Sequence, residues 1–183
     1  AQGVKGYVLD LRSNPGGLLF GGIDIARMWL DDGKIVSTAN RQGVGETSSA
    51  NQTAITDKPL VVLVDGGSAS ASEILSGALQ DNKRAKLVGA KTFGKGLVQS
   101  VRPLVDGAGM AVTVAKYYTP NGKDINHNGI KPDIEVKLTK DQIKTFVKDR
   151  TKVATLADPQ YAKALETLKI EIAARNGSAA QKK

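Results

Sequence analysis

The aliphatic run Leu60–Val64 constrains the fold of this chain more than any other feature. Because it is apolar at every position, it predicts a strand that is buried on both faces, as in the centre of a parallel sheet. The Asp65-Gly66-Gly67 segment that follows predicts a turn. Apolar residues then recur at helical spacing, so we expect a helix over residues 68–80.

The same order of elements occurs near the start of the chain. Tyr7–Arg12 predicts a buried strand, Ser13–Gly17 a turn, and residues 20–31 a helix. This repeated order is typical of an α/β domain, in which the turns after parallel strands meet at one sheet edge. We therefore expect the Gly16-Gly17 pair to face residues 68–70 across one crevice.

The rest of the chain predicts further strands, surface loops and C-terminal helices. Asp106–Gly109 predicts the turn of a hairpin, and residues 42–56 and 120–132 predict polar loops at the surface. We expect strands at residues 34–38, 86–89, 97–104, 110–117 and 133–138, and helices at residues 140–148 and 160–174.

The composition excludes several classes of chemistry. The 183 residues include no cysteine, which rules out disulfides, thiolate catalysis and cysteine-ligated metals. The one histidine, His127, lies in a loop that is predicted to be exposed, where it is a poor catalytic base. No apolar run approaches the roughly 20 residues that a membrane-spanning helix needs.

The charge of the chain is basic but dispersed. The net charge is +8, from 26 basic and 18 acidic side chains, and aromatic residues make up only 4% of the chain. Because the lysines are scattered and no nucleic-acid-binding motif accompanies them, we interpret the excess as a solvated basic face and expect no nucleic-acid partner.

Ser70 has a structural and a functional interpretation. Ser70 and Glu73 match a capping box, in which the serine does no more than begin the helix. In the functional interpretation Ser70 is a nucleophile at a helix N-terminus, where free backbone N–H groups stabilise a negatively charged oxygen. The usual Gly-x-Ser-x-Gly pattern is absent from this segment.

A serine nucleophile needs a base, and Lys95 is the candidate. It lies between Gly94 and Gly96, beside apolar residues, although a lysine in such a segment is often an ordinary surface residue. The stretch Gly89–Gly96 also matches the phosphate-loop pattern except at its last position, where glycine replaces Ser/Thr. Residues 97–101 alternate like a strand, which disfavours nucleotide binding.

The loop Asp124–Glu135 matches the EF-hand calcium template position by position. The segments on either side do not have the residue pattern of helices, and Pro132 stiffens the loop where an EF-hand continues into its second helix. We therefore favour a plain connecting loop and keep calcium binding as an alternative.

Three motifs together resemble the carboxyl-terminal processing proteases, also called tail-specific proteases. They are Asp10–Gly17, Gly67–Ile74 and Gly89–Gln99. Residues 117–122 and 129–133 resemble the region that follows the catalytic lysine in that family. The resemblance covers about residues 3–138, and the segment Ala26–Leu30 is most similar to the cyanobacterial and plastid branch.

The resemblance implies a crotonase-like α/β core of repeated ββα units with C-terminal helices, and a Ser–Lys dyad. Ser70 would be the nucleophile, Lys95 the general base, and Gln99 would orient the lysine amine. The backbone N–H groups of Gly16 and Ala71 would form the oxyanion hole. The implied reaction is cleavage of a protein or peptide substrate near its C-terminus, with no cofactor and no metal.

The resemblance also implies a domain organisation. Residues 1–138 would be an N-terminally incomplete catalytic core, residues 139–175 a helical segment and residues 176–183 a disordered tail. We expect a fragment, because the targeting segment and PDZ domain that usually precede this core are missing, and membrane association would require that missing region. Members of the family mostly act outside the cytoplasm, in the periplasm or thylakoid lumen. A non-catalytic binding or scaffold relative of the same fold is the alternative function.

Overall fold

The computed structural model describes residues 3–43 and 45–180. Its elements, in chain order, are β1 (Tyr7–Asp10), α1 (Leu19–Arg27), β2 (Lys34–Ala39), β3 (Thr47–Ser49), β4 (Leu60–Val64), α2 (Ala71–Asp81), β5 (Lys86–Gly89), β6 (Leu97–Pro103), β7 (Gly109–Tyr118), β8 (Ile134–Glu135), α3 (Lys140–Lys148), a 3-10 turn (Arg150–Lys152) and α4 (Pro159–Ala180).

The predicted buried strand β4 lies inside a parallel sheet. Within the described residues this sheet has the order β1-β4-β5-β8, and every pairing in it is parallel. Val62 pairs with Leu9 on one side and with Leu87 on the other. All residues of β4 are buried, as its apolar run predicts. The mixed α/β architecture with C-terminal helices is therefore confirmed.

A second, antiparallel sheet has the order β3-β2-β7-β6. The predicted hairpin is confirmed, since β6 and β7 pair from Leu97↔Lys116 to Pro103↔Gly109. The prediction that residues 42–56 are only a loop is wrong for β3, which pairs with β2 at Ser37↔Thr47. The three residues of β3 are polar, so its strand conformation comes from pairing at a sheet edge and not from an apolar pattern.

Helices cover both faces of the parallel sheet. On one face, residues from α1 and α2, including Ile23 and Leu79, pack into a cluster with Val62 and Leu87. On the other face, Ala164 and Leu168 of α4 pack against Val61, Leu63 and Val88. The C-terminal helix thus shares a hydrophobic core with the sheet.

Helix α4 continues beyond residue 174, the predicted end of the last helix. It ends at Ala180, whereas the sequence leads us to expect a disordered tail from residue 176, and residues 181–183 lie outside the described part of the chain. Ala179 and Ala180 are strong helix formers, whereas Asn176, Gly177 and Ser178 between them and Arg175 are not. No helix in the described ranges is long and apolar enough to cross a bilayer.

Candidate active site

The two glycine turns meet at the carboxyl edge of the parallel sheet, as the sequence predicts. Asn14 O accepts a hydrogen bond from the Ala69 N–H at 3.0 Å, and the buried Ser68 hydroxyl donates to Leu11 O at 2.7 Å. The Asp65 carboxylate accepts a further bond from the Ser13 N–H at 2.8 Å. These bonds hold the turn after β1 against the turn after β4.

Gly16 lies so close to the second turn that only glycine fits there. Its φ is +91°, and a Cβ at this position would lie 2.5 Å from Ala69 O and 2.8 Å from Ala71 N. The backbone of Gly16 is therefore next to the first residue of α2, and Ser70 lies between Ala69 and Ala71. The expected approach of Gly16 to the turn after β4 is therefore observed.

Ser70 has a strained backbone. Its φ of 56° and ψ of −119° lie in a region that residues with a side chain rarely adopt. Ser70 and Glu73 form the predicted capping-box arrangement, but the Ser70 hydroxyl makes no well-formed hydrogen bond to the helix N-terminus. The strained turn places a half-buried serine at the N-terminus of α2.

Glu73 is fully buried and connects this serine turn to the segment that carries Lys95. Its Oε2 accepts hydrogen bonds from the backbone N–H groups of Ser70 and Lys95, at 2.9 and 2.8 Å. Its Oε1 accepts from the Gly94 N–H at 2.7 Å and from the Thr92 hydroxyl at 2.5 Å. The backbones of the two proposed dyad residues are therefore held by one carboxylate oxygen.

The segment Thr92–Gly96 is supported from its other side by the loop after β7. Thr92 N donates to Ile130 O at 3.1 Å, and the Ile130 N–H donates to the Thr92 hydroxyl at 2.7 Å. A Cβ on Gly96 would lie 2.4 Å from Asn126 N, so glycine is required for this contact. The long polar loop thus supports the lysine segment.

The side chains of Lys95 and Gln99 are exposed. Within residues 3–43 and 45–180, Lys95 Nζ has no ion-pair or hydrogen-bond partner. Gln99 lies in β6 opposite Thr113, beside a register shift at Val98. The structure fixes the backbone of Lys95 close to Ser70 but does not bury its amine.

The two predicted oxyanion donors differ in their present partners. The Ala71 N–H, the first of α2, has no acceptor among the residues described. The Gly16 N–H donates to Asn14 Oδ1 at 3.0 Å, within its own turn. A substrate oxygen at this position would compete with that amide oxygen for the Gly16 donor.

The surroundings of the two alternative motifs differ from their templates. The segment Asp124–Glu135 follows β7 and ends with strand β8, and Asp124 pairs with Lys116 at 2.8 Å. No cluster of three or more potential metal ligands occurs among the described residues. The segment after Gly96 is strand β6 and not the helix of a phosphate loop. His127 is exposed, as predicted.

The family of the chain follows from a comparison with family models. The model of peptidase family S41 matches residues 1–136, which include all the candidate residues. The chain belongs to peptidase family S41.

Several relatives of this S41 chain are carboxyl-terminal-processing proteases. The carboxyl-terminal-processing protease of Synechocystis sp. is 58% identical over 167 residues, which cover 91% of this chain and 38% of the relative. The chloroplastic C-terminal processing peptidase of Tetradesmus obliquus is 53% identical over 136 residues, covering 74% of this chain and 29% of the relative.

A solved structure shares the fold. The structure described as photosystem II D1 C-terminal processing protease matches with a TM-score of 0.71 and 52% identity, over 74% of this chain and 36% of that chain. The S41 chain therefore spans about a third of the length of these relatives. The expected resemblance to the carboxyl-terminal processing proteases, and to their cyanobacterial and plastid members, is confirmed.

Sequence reasoning missed several residues that build the S41 site. Thr92 and Asp65 were not singled out, although each bonds two different segments. Arg12 was quoted only as part of a motif, and its partners Asp158 and Gln160 lie at the start of α4. One feature of the sequence does indicate a partner for Arg12. It lies at the end of an apolar strand, where its side chain is expected to be buried, and a buried arginine requires a partner.

A cleft of about 840 Å³ lies away from the site of this S41 chain, at the opposite edge of the parallel sheet. Residues near the amino ends of β4 and β5 line it, among them Pro59, Arg84 and Lys86. None of the candidate site residues lines this cleft.

Proposed function

We propose that this chain is the catalytic part of a serine endopeptidase that cleaves proteins near their C-termini. Ser70 is the nucleophile, Lys95 the general base, and Gln99 orients the lysine amine. The N–H groups of Ala71 and Gly16 bind the oxyanion. The observation that carries the proposal is the strained Ser70 turn, held by Glu73 to the lysine segment and packed against Gly16.

The proposed reaction is acyl transfer. Neutral Lys95 takes the proton from the Ser70 hydroxyl while Oγ attacks the peptide carbonyl carbon, and the carbonyl oxygen becomes an anion. Preorganised N–H donors at such an oxyanion typically contribute a few kcal/mol each to the transition state. The ammonium then gives its proton to the departing amine, and water hydrolyses the ester to free Ser70.

The proposal includes the substrate of the protein and its location. The substrate is a protein or peptide C-terminus, and the catalytic steps use no cofactor. Residues 1–138 form the catalytic core, and the helical segment from residue 139 packs on it through α4. Since several relatives are named as chloroplastic peptidases, we propose that the protein acts outside the cytoplasm.

The exposure of Lys95 supports a second candidate function, a non-catalytic binding relative of the same fold. A lysine base must lose its proton, and desolvation is the usual way to achieve this. The described residues do not bury the Lys95 amine. In the catalytic proposal another part of the full-length protein, or the bound substrate, covers it.

The deciding experiment uses the full-length protein that carries this chain. We expect Ser70→Ala and Lys95→Ala each to lower kcat on a C-terminal peptide substrate by roughly a thousandfold or more. Ser49→Ala and Lys91→Ala are matched controls, because both side chains are exposed outside the proposed dyad. Unchanged cleavage by either dyad variant would refute the Ser–Lys dyad, and absence of cleavage by the unmodified full-length protein would favour the non-catalytic function.

The pH dependence gives an independent test of the base. Because the Lys95 amine must be unprotonated, kcat/KM should rise as the pH becomes alkaline. A profile that is flat from neutral to alkaline pH would exclude a lysine base.

A further inference from the structure

We propose that Asp158 and Gln160, at the start of α4, are positioning residues for the turn Ser13–Gly17 and that they act through Arg12. The inference rests on the proposed function, because that turn supplies the Gly16 donor. It assigns a role in the site to a helix beyond residues 1–136, the part matched by the family model.

Arg12 is held between two carboxylates. Its Nε and Nη2 donate to Asp10 at 2.9 and 2.7 Å, and its Nη1 lies 2.7 Å from Asp158 Oδ2 and 3.0 Å from Gln160 Oε1. The Arg12 side chain is only 10% exposed. Burial acts to lower the pKa of the guanidinium, but the hydrogen bonds to Asp10 and Asp158 outweigh it and raise that pKa.

Asp158 cannot move without loosening both Arg12 and α4. It is fully buried, and its Oδ1 accepts bonds from the N–H groups of Gln160 and Tyr161, which open the helix. Its Oδ2 accepts from the Ala154 N–H at 3.1 Å as well as from Arg12. Because α4 also packs on the parallel sheet, Asp158 is a fixed anchor for the guanidinium.

Gln160 adds a second anchor. Its Oε1 accepts from Arg12, and its Nε2 donates to Val136 O at 2.8 Å, just after β8. The amide is thereby fixed in orientation at both ends, with the oxygen directed to Arg12.

Anchoring Arg12 fixes one side of the glycine turn. The turn begins at the next residue, Ser13, which has a φ of 55°, and Asp65 holds the same end of the turn through the Ser13 N–H. Gly16 must remain within contact of Ala71 for the two N–H donors to converge. A shift of about 1 Å in such a donor can lower a rate by roughly a hundredfold.

The test compares variants of α4 in the full-length protein that carries this chain. We expect Asp158→Asn to lower kcat by roughly ten- to hundredfold, with KM changed less than about twofold. Glu166→Gln is the matched control, because Glu166 lies on the same helix in an exposed ion pair with Lys163. Should Asp158→Asn fail to fold, Gln160→Met, which leaves the Asp158 cap intact, is expected to lower kcat in the same direction.

A double-mutant cycle separates positioning through Arg12 from a purely structural role. In an Arg12→Gln background, Asp158→Asn should lower kcat by less than about twofold more, because its effect passes through the missing guanidinium. Full additivity in this cycle overturns the inference. The inference is also overturned if the folded Asp158→Asn and Gln160→Met proteins have the same kcat as the Glu166→Gln control. Retained cleavage by Ser70→Ala would instead overturn the proposed function, so the two failures are distinguishable.

Discussion

The carboxylate of Glu73 is the most sensitive single group for testing how the site is held together. Each of its two oxygens accepts two hydrogen bonds. Oε2 accepts from the N–H groups of Ser70 and Lys95, and Oε1 accepts from the Thr92 hydroxyl and the Gly94 N–H. Glu73→Gln keeps the shape of the side chain but replaces one acceptor with an N–H donor. Whichever way the new amide turns, one pair of donors loses its acceptor.

The loss of stability expected for Glu73→Gln follows from the hydrogen bonds that the glutamine cannot make. The favoured orientation places the amide nitrogen toward Thr92, whose hydroxyl can turn to accept, and leaves the buried Gly94 N–H unpaired. An unpaired buried donor costs about 1–3 kcal/mol, and the remaining bonds lose the extra strength of a charged acceptor. We expect Glu73→Gln to lower the free energy of unfolding by about 3 kcal/mol.

Urea unfolding of the full-length protein that carries this chain measures the effect, followed by kcat on a peptide substrate. Glu166→Gln, an exposed change of the same chemistry, should alter the unfolding free energy by less than about 0.5 kcal/mol. A Glu73→Gln protein as stable as this control would refute the view that the buried carboxylate binds the two segments together.

Three further substitutions test separate contacts. Gly16→Ala should lower kcat by roughly a hundredfold, because the new Cβ would lie 2.5 Å from Ala69 O and displace the proposed oxyanion donor; a wild-type kcat would contradict the close approach. Thr92→Val should lower the free energy of unfolding by about 2 kcal/mol, since the buried Ile130 N–H loses its acceptor; an unchanged urea midpoint would contradict that bond. Lys116→Met should leave the urea midpoint unchanged, because the ion pair of Lys116 is exposed; a clear decrease would show that this pair contributes to stability.

The parallel sheet could be predicted from the sequence because its strands carry their own signal. The apolar run Leu60–Val64 and the glycine turns after β1 and β4 specify buried strands and one shared sheet edge. Strand β3 carries no such signal, since Thr47–Ser49 is polar and becomes a strand only through its pairing with β2. The last turns of α4 were missed because their composition is typical of both a helix and a frayed end.

The site was predictable where one short segment contains the signal. Ser70 and Gly16 each lie in a recognisable turn, and the structure brings these turns together. The capping box predicts the position of Glu73 at the helix N-terminus, but its bonds to Thr92 and Gly94 depend on where β5 places that segment. Arg12 and Gln160 are 148 residues apart, and no local pattern predicts such a contact.

The two ends of the parallel strands differ in their tolerance to chemical labelling. The turns that hold Ser70 and Gly16 follow the carboxyl ends of β4 and β1, whereas Lys86 begins β5 at the other end and is exposed. A fluorophore or an immobilising tether at Lys86 would therefore be separated from the turns by the length of the strands. Such a label would lie outside the candidate active site and would leave both turns unmodified.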